Sequence, residues 1–364
     1  MRVVLVINGI YSGGGGRVMT WLARELAQRG HDVVLAVQAE PSTDFYQVDP
    51  RVVVVRCGSL PSPLRRFSVV ADGAVAWSVR RIVRRHRAEV VVSFIRQINL
   101  AVLVGLIGTG VPVVVSERSH PFAYADLGRW RRRLRPRLYR RAAGVVVLSD
   151  EIAGQARRTW RLGKVDVIAN PAHPVARVTA LTERDRVVVC VGRLNELKGH
   201  PSLIEAWARS SAPSRGWTLP LVGDGSMRAA VTALADRLGV AGSVEMPGST
   251  HDVEAEYLRA AVFVLPSVVE GFPNALLEAM ACGCACIATD CPGATGDILA
   301  RGDAGVLVPV GDPAALGAAL DRLTADDPTE RLRLAAAALA RSRDFSPDDV
   351  AGQWLDVITT VAAR

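Results

Sequence analysis

Short runs of β-branched residues alternate with longer amphipathic stretches along almost the whole chain. Runs such as Val3–Ile7 and Val187–Val191 are apolar at every position, whereas Arg17–Arg29 and Val69–Arg87 have the length and pattern of helices. The other predicted strands are Val33–Val37, Val52–Val55, Val90–Phe94, Val113–Val115, Val145–Leu148, Leu219–Val222, Val244–Met246, Val262–Leu265, Ala285–Ala288 and Gly305–Val308. Continuous apolar strands that alternate with helices are typical of parallel sheets covered on both faces. The pattern therefore predicts a doubly wound α/β fold.

The alternation is interrupted at Asn170-Pro171-Ala172-His173-Pro174 and then starts again. A Pro-containing stretch without periodicity predicts a linker, and 364 residues suffice for two ordinary domains. We therefore predict two parallel-sheet domains that face each other across a cleft. The first comprises residues 1–172 with a returning C-terminal helix at 347–364, and the second comprises residues 173–346.

The apolar runs are too short to cross a bilayer, which takes ~18–20 residues, and Met1–Ile10 has the pattern of a first strand rather than of a signal peptide. We therefore expect a cytoplasmic protein. Four of the six cysteines lie within residues 282–291, but their spacing differs from that of paired Cys-x2-Cys zinc ligands. We expect reduced cysteines that pack in a core, and no metal site.

The charge is distributed unevenly between the two halves. Residues 1–172 hold 27 Lys and Arg against 12 Asp and Glu, a net charge of +15, whereas the rest of the chain carries −7. Within the basic half, Arg129–Arg141 contains eight arginines in thirteen residues, interleaved with Trp130, Leu134, Leu138 and Tyr139. This composition predicts binding to an anionic membrane surface, at the inner face of the plasma membrane, although a solvated helix is the alternative. A nucleic-acid partner is not expected, because no nucleic-acid-binding motif accompanies the charge.

The first predicted strand is followed by a glycine-rich loop. Asn8-Gly9-Ile10-Tyr11-Ser12 leads into the consecutive glycines Gly13, Gly14, Gly15 and Gly16, and a helix is predicted from Arg17. Glycines let backbone amides approach a ligand closely, and a helix N-terminus behind them favours an anion. The loop is therefore predicted to face a ligand.

In the second half, the first strand is followed by Gly192-Arg193-Leu194-Asn195-Glu196-Leu197-Lys198. Arg193 and Lys198 can reach one site at the carboxyl end of that strand, where ligands of such sheets bind. Cations at this place can neutralise the charge that develops on a diphosphate leaving group. Because no evident carboxylate pair could hold Mg²⁺, we predict chemistry without a metal.

A third segment follows the strand Val262–Leu265. It reads Glu270-Gly271-Phe272-Pro273-Asn274-Ala275-Leu276-Leu277-Glu278. Pro273 suits the first turn of a helix, so the amides of Asn274 to Leu276 are predicted to be donors for a phosphate. Glu270 offers a carboxylate to sugar hydroxyls and Glu278 offers one to a ribose. The segment thus predicts a nucleotide-sugar site.

Together, these residues resemble the family-four retaining glycosyltransferases of the GT-B fold. That family carries two glutamates separated by seven residues, as Glu270 and Glu278 are here. The resemblance implies two Rossmann-like domains and a nucleotide-sugar donor, with a UDP-sugar favoured. It implies that Arg193 and Lys198 bind the diphosphate, that Glu270 contacts the transferred sugar and that Glu278 contacts the ribose. The remaining donor-site residues that it implies are Met246, Pro247 and Gly248 near the base, and Gly271, Phe272, Pro273, Asn274, Ala275 and Leu276.

A finer similarity concerns the acceptor. Ser93-Phe94, Asn99 and Ser116-Glu117-Arg118 are similar to segments of bacterial transferases that add N-acetylgalactosamine to polyprenyl-diphosphate-linked glycans. Glu117 and His120 stand where the family contacts the donor sugar from the first domain, and the sequence leaves open which of them does so. We therefore predict transfer of a hexose or N-acetylhexosamine to a glycan or lipid-linked acceptor. The alternative is a soluble transferase acting on a small-molecule aglycone.

Overall fold

The computed structural model of the chain describes residues 1–11, 13–58, 68–122, 129–173, 175 and 183–363, with backbone alone at 68–69 and 129–130. It divides into two compact units, Met1–Pro171 with Asp348–Arg364, and Ala172–Pro347. These divisions fall within one residue of the expected boundaries. Among the described residues, no helix combines the length and the hydrophobicity that a membrane span requires.

The first unit contains a seven-stranded parallel sheet with helices. Its strands are β1 (Arg2–Ile7), β2 (Asp32–Val37), β3 (Val53–Arg56), β4 (Val90–Phe94), β5 (Val113–Ser116), β6 (Gly144–Val147) and β7 (Asp166–Val167). Its helices are α1 (Gly14–Gln28), α2 (Ser68–Arg85), α3 (Arg96–Gly105), α4 (Arg129–Tyr139) and α5 (Asp150–Trp160). The strand order is β3-β2-β1-β4-β5-β6-β7. The direction of winding reverses between β1 and β4, which makes this the point where ligands bind in such sheets.

The second unit repeats the plan with six parallel strands. They are β8 (Asp185–Val191), β9 (Leu219–Val222), β10 (Val244–Gly248), β11 (Ala260–Leu265), β12 (Ala285–Thr289) and β13 (Val306–Val308). The helices are α6 (His200–Arg209), α7 (Arg228–Arg237), α8 (Val253–Arg259), α9 (Asn274–Ala281), α10 (Thr295–Ile298), α11 (Pro313–Leu323) and α12 (Thr329–Ser342). The strand order is β10-β9-β8-β11-β12-β13, so the reversal lies between β8 and β11.

The last helix, α13 (Pro347–Ala362), packs within the first unit. Its inward face joins the core beneath β1 and β4, and Trp354 is fully buried there. The indole of Trp354 lies 5.5 Å from the ring of Phe94, measured between centroids. Burial of this apolar face stabilises the returning helix on the first sheet.

The doubly wound α/β fold is confirmed, and each predicted strand is present with its ends shifted by at most two residues. Two details differ. Helix α1 begins at Gly14 rather than at Arg17, because the first amides of a helix need no partner four residues earlier and glycine is tolerated there. Strand β7 has only two residues, too few to produce a hydrophobic pattern in the sequence.

Candidate active site

Two predicted residues meet at the reversal point of the second sheet. Lys198 ends a single 3₁₀ turn that follows β8, and Glu270 lies in the loop between β11 and α9. Although they are 72 positions apart, the Lys198 Nζ lies 2.5 Å from the Glu270 Oε1. The doubly wound order brings these loops together, because β8 and β11 are neighbours in the sheet.

Two glycines hold the loops that carry this pair. A Cβ on Gly199, where φ is +63°, would lie 1.9 Å from the carbonyl oxygen of Pro266. A Cβ on Gly293, where φ is +127°, would lie 1.9 Å from the carbonyl oxygen of Glu270. Any side chain would clash with backbone at both positions, and left-handed φ values also favour glycine. The spacing between Lys198 and Glu270 therefore depends on close backbone packing.

Ser267 is a member of the site that the sequence analysis missed. Its side chain is fully buried, and its hydroxyl donates to the Glu270 Oε1 at 2.6 Å. Thr289 in turn donates to the Ser267 carbonyl at 2.5 Å. Glu270 Oε1 thus accepts from both Ser267 and Lys198, which fixes the orientation of the carboxylate. The available signal was a serine after an apolar strand and three residues before Glu270.

Arg193 differs from Lys198 in its surroundings. Its side chain is exposed and forms no ion pair with any residue that the structure describes. The loop that carries it is anchored next to it, because the Leu194 amide donates to the Asp224 carbonyl at 3.0 Å. An exposed guanidinium on an anchored loop presents several N–H donors to an incoming anion.

Glu278 lies one turn inside α9 and has a hydroxyl partner. Its Oε2 accepts from the Tyr257 hydroxyl at 3.1 Å. Burial and the charge of Glu278 raise the pKa of Tyr257, so this hydroxyl keeps its proton. The contact orients the carboxylate that the sequence assigns to a ribose.

The start of α9 differs from the predicted phosphate-binding segment. Pro273 stands at the N-cap, directly before the helix rather than inside its first turn. The Leu276 amide donates to the Pro273 carbonyl at 3.0 Å, which occupies one of the three predicted donors. Asn274 and Ala275 are half-buried, whereas Gly271 and Phe272 are buried, the latter with its ring centroid 6.0 Å from that of Phe345.

The segment predicted to lie near the base forms β10, at the edge of the second sheet. The Met246 carbonyl accepts from Arg228 at 2.6 Å, and the Gly248 carbonyl accepts from the Gly223 amide at 2.8 Å. Pro247 is exposed. Proline has no backbone N–H to donate, and an edge strand tolerates this missing donor.

In the first unit, the glycine run forms the start of α1 rather than a free loop. Gly13 is the N-cap, with φ at +150°, and Gly14, Gly15 and Gly16 occupy the first helical turn. A Cβ on Gly16 would lie 2.8 Å from the carbonyl oxygen of Tyr11, so this position has no room for a side chain. The run follows β1, at the reversal point of the first sheet.

Glu117 lies in a buried polar cluster after β5. Its side chain is 0% exposed, and its Oε1 lies 2.5 Å from the Arg135 Nη2. The Tyr139 hydroxyl also donates to that oxygen, and Asn99 donates to the Tyr139 hydroxyl at 3.1 Å. Burial raises the pKa of Tyr139, which keeps its proton. These contacts hold the Glu117 Oε1 in a buried ion pair, whereas its Oε2 is buried with no hydrogen-bond partner among the described residues.

His120 is also buried, but it makes no short ionic contact. Its Nε2 lies 3.8 Å from the Glu151 Oε1, and its ring stands edge-on to Phe122 at 6.2 Å. Burial lowers the pKa of His120, and Glu151 partly opposes the shift. The imidazole is therefore mainly neutral at pH 7 and can donate and accept a hydrogen bond.

Only some of the side chains in the basic stretch at 129–141 are exposed. Leu138 and Tyr139 are buried in the first unit, and Arg135 is buried against Glu117, which corrects the expectation that these apolar residues face a membrane. Arg131 pairs with Asp72 at 2.7 Å. The helix is continuous through Pro136. The side chain of Trp130 and all of residues 123–128 lie outside the described residues.

The cysteines are packed as small apolar residues. All six are buried free thiols. Burial raises the pKa of Cys282 to about 12 and that of Cys284 to about 11. Across the described part of the chain, His, Cys, Asp and Glu side chains form no group of three that could hold a metal ion.

Two family models match the chain, one in each unit. "Glycosyl transferase 4-like domain" matches residues 13–171, and "Glycosyl transferases group 1" matches residues 185–326. The first match covers the glycine run, Glu117 and His120, and the second covers Arg193, Lys198 and both glutamates of the second unit.

Relatives and solved structures agree with these matches. The chain is 25% identical, over 99% of its length and 99% of the relative, to the GalNAc-alpha-(1->4)-GalNAc-alpha-(1->3)-diNAcBac-PP-undecaprenol alpha-1,4-N-acetyl-D-galactosaminyltransferase of Campylobacter jejuni. Sucrose-phosphate synthase from Thermosynechococcus elongatus matches its fold with a TM-score of 0.85 at 20% identity, over 100% of this chain and 99% of that one. Anabaena HepE matches with a TM-score of 0.80 at 17% identity, over 99% of this chain and 100% of that one. The chain therefore belongs to the family-four glycosyltransferases and has the GT-B fold.

Proposed function

We propose that the protein is a retaining glycosyltransferase that works without a metal and moves a hexose or N-acetylhexosamine from a UDP-sugar to a glycan or lipid-linked acceptor. The observation that carries the proposal is the Lys198–Glu270 pair at the reversal point of the second sheet, with the exposed Arg193 on the loop before it. This arrangement puts two cations and one oriented carboxylate at the edge where ligands of such sheets bind.

The cations suit the leaving group. When the bond between the anomeric carbon and the diphosphate breaks, the bonding electrons stay with the diphosphate. The ammonium of Lys198 has three donors, so it can hold a phosphate oxygen while it still contacts Glu270. Arg193 can add donors in a fixed plane. Fixed cations aimed at developing charge do the work for which other transferases use a metal ion.

The carboxylates suit the two sugars of the donor. Glu270, held by Ser267 and Lys198, accepts hydrogen bonds from hydroxyls of the transferred sugar. Glu278, held by Tyr257, accepts hydrogen bonds from the ribose. In the first unit we favour His120 over Glu117 for the donor contact, because Glu117 is already engaged with Arg135 and Tyr139. The choice of UDP follows the fold relative HepE, whose structures are described as complexes with UDP and with UDP-glucose.

A hydrolysis screen tests the donor. The purified protein is incubated with UDP-, GDP- and ADP-linked glucose, galactose and their N-acetylated forms in EDTA, and release of nucleoside diphosphate is measured. We expect turnover with at least one UDP-sugar and none with the others. Cleavage of GDP- or ADP-sugars alone would overturn the choice of UDP, and no cleavage until Mg²⁺ is added would overturn the metal-free chemistry.

The stereochemical part needs a separate measurement. Proton NMR of the transfer product gives the anomeric configuration of the new glycosidic bond. With an α-linked donor we expect an α-linked product. A β-linked product would show inversion and would remove the retaining mechanism while leaving the transferase in place.

We propose further that the first unit binds the acceptor at an anionic membrane surface. Exposed arginines for which the structure shows no ion pair within the described residues cluster on and after α4 and α5. They are Arg132, Arg133, Arg137, Arg140, Arg141, Arg158 and Arg161. Each cation near an anionic lipid surface contributes about 1 kcal/mol to binding. Because Leu138 and Tyr139 are buried, we expect the attraction to be mainly electrostatic.

Vesicle sedimentation tests this surface. The triple variant Arg133→Gln, Arg137→Gln and Arg140→Gln is compared with a control that loses the same charge from the second unit, at the exposed residues Arg209, Arg237 and Arg333. We expect the first variant to lose binding to phosphatidylglycerol vesicles and the control to keep it. Equal binding by both variants, or no binding by the wild type, would count against the surface and favour a small-molecule acceptor.

A further inference from the structure

Exposed aromatic side chains are rare among the residues that the structure describes. The chain has 19 Phe, Trp and Tyr residues, and among those that the structure describes only Tyr11, Phe45 and Trp77 are more than a third exposed, at 44%, 48% and 64%. Tyr11 and Phe45 belong to the loops that follow β1 and β2. Two of the three exposed rings therefore lie on adjoining loops at the carboxyl edge of the first sheet.

The backbone ties these two loops together. The Phe45 amide donates to the Ile10 carbonyl at 2.9 Å, so Phe45 stands beside the residue that precedes Tyr11. The ring of Phe45 stands edge-on to that of Tyr46, with centroids 5.0 Å apart. The Tyr46 hydroxyl accepts from the Gly13 amide at 3.3 Å, which joins the aromatic loop to the start of α1.

The absence of a side chain at Gly9 leaves room for the Tyr11 ring. A Cβ on Gly9 would lie 2.3 Å from the Tyr11 ring, so the ring lies over the bare backbone of Gly9. The ring is therefore held against the end of β1 while almost half of its residue surface stays exposed. An aromatic ring fixed in this way has little conformational freedom left to lose when a ligand packs on it.

An amphipathic ligand would fit the exposed rings. A pyranose ring has a face of C–H groups and a rim of hydroxyls, so its face can pack on an aromatic ring while its rim stays hydrated. A polar side chain belongs to the same segment, namely Asn8, whose buried Oδ1 has no hydrogen-bond partner within the described residues. The position after β1 is where open sheets of this kind bind ligands.

We propose that Tyr11 and Phe45 form a stacking platform for a non-reacting sugar ring of an oligosaccharide acceptor. The inference rests on the proposed transfer to a glycan, and it specifies that the acceptor is recognised by a carbohydrate ring and not by its anionic end alone. A monosaccharide or a small aglycone has no second ring to place on this platform, so longer glycans are the better acceptors.

Binding can be measured without a donor, which separates this inference from the proposed function. Saturation-transfer NMR is recorded with α-linked N-acetylgalactosamine and α-linked glucose oligosaccharides of one to four rings. The variants are Tyr11→Ala and Phe45→Ala, with Tyr11→Phe and Phe45→Tyr as conservative partners. Trp77→Ala is the matched control, because it removes the third exposed aromatic from a different element, helix α2.

We expect the wild type to bind trisaccharides or tetrasaccharides of at least one series more tightly than the monosaccharide. Each alanine variant should raise Kd by about tenfold, whereas the conservative variants and Trp77→Ala should stay within about twofold of wild type. Far-UV circular dichroism and thermal melting close to those of the wild type show that every variant folds. If the wild type binds none of the oligosaccharides, or if Tyr11→Ala and Phe45→Ala bind as wild type does, the platform is overturned, whatever the outcome of the donor screen.

Discussion

At the carboxyl edge of the second sheet Lys198 pairs with Glu270, and at the carboxyl edge of the first sheet Arg135 pairs with Glu117, both at 2.5 Å. The side chains of the first pair are 28% and 9% exposed, whereas those of the second are 5% and 0% exposed. A cation that must bind a phosphate has to be reachable from solvent, and Lys198 is. A fully buried pair can contribute to the fold, but a ligand from solvent does not reach its contact without a rearrangement. Exposure, rather than residue type or spacing, thus separates the two pairs.

The largest expected effect concerns the buried pair. Glu117→Ala leaves the Arg135 guanidinium buried without its counter-ion, which should lower the free energy of unfolding by about 3–5 kcal/mol. Glu270→Ala leaves Lys198 next to solvent, so the same measurement by urea denaturation should show a loss of roughly 1 kcal/mol or less. Equal losses in the two variants would remove the distinction between a structural pair and a functional pair.

Removal of the reachable cations should act on catalysis. Lys198→Ala and Arg193→Ala should each lower turnover by ~10²-fold or more, because the role proposed for each cation is to stabilise charge that grows on the leaving diphosphate. Thermal melting should stay close to wild type. Steady-state rates at saturating donor give the result, and near-normal turnover in either variant would exclude that residue from the mechanism.

The two glutamates of the second unit should differ from each other. Glu270→Gln should lower transfer at saturating donor more than Glu278→Gln, because the role proposed for Glu270 is to contact the reacting sugar, whereas the role proposed for Glu278 is to hold the ribose, which mainly affects donor binding. The split between kcat and donor KM measures this. A larger fall in kcat for Glu278→Gln would reverse the two roles.

A smaller effect is expected at Ser267, which acts through Glu270. Ser267→Ala removes one of the two donors to the Glu270 Oε1 and should lower kcat by about tenfold with donor KM nearly unchanged. In the background of Glu270→Gln the same substitution should have little further effect. Additive losses in the double variant would show that Ser267 acts elsewhere.

Much of the fold could be predicted from the sequence, because strands buried on both faces are apolar at every position. The meeting of Lys198 and Glu270 followed from the same plan, since the carboxyl ends of β8 and β11 are neighbours. The burial of Glu117 could not be predicted. A glutamate after an apolar strand looks the same whether it faces a ligand or the core, and its partners lie 18 and 22 residues away on α4. The inward face of α4 was hidden for the same reason, because its many arginines conceal which side packs.

On the proposed mechanism, the second unit stabilises the developing charge and needs no metal to do so. Phosphorus NMR of donor cleavage in EDTA measures this step, using the UDP-sugar that the screen selects. Three proteins are compared, namely the wild type, Lys198→Ala and the triple variant Arg133→Gln, Arg137→Gln and Arg140→Gln. We expect the wild type and the triple variant to cleave the donor at the same rate and Lys198→Ala to be slower by ~10²-fold or more. Cleavage that requires added Mg²⁺, or a Lys198→Ala variant as fast as the wild type, would contradict this mechanism.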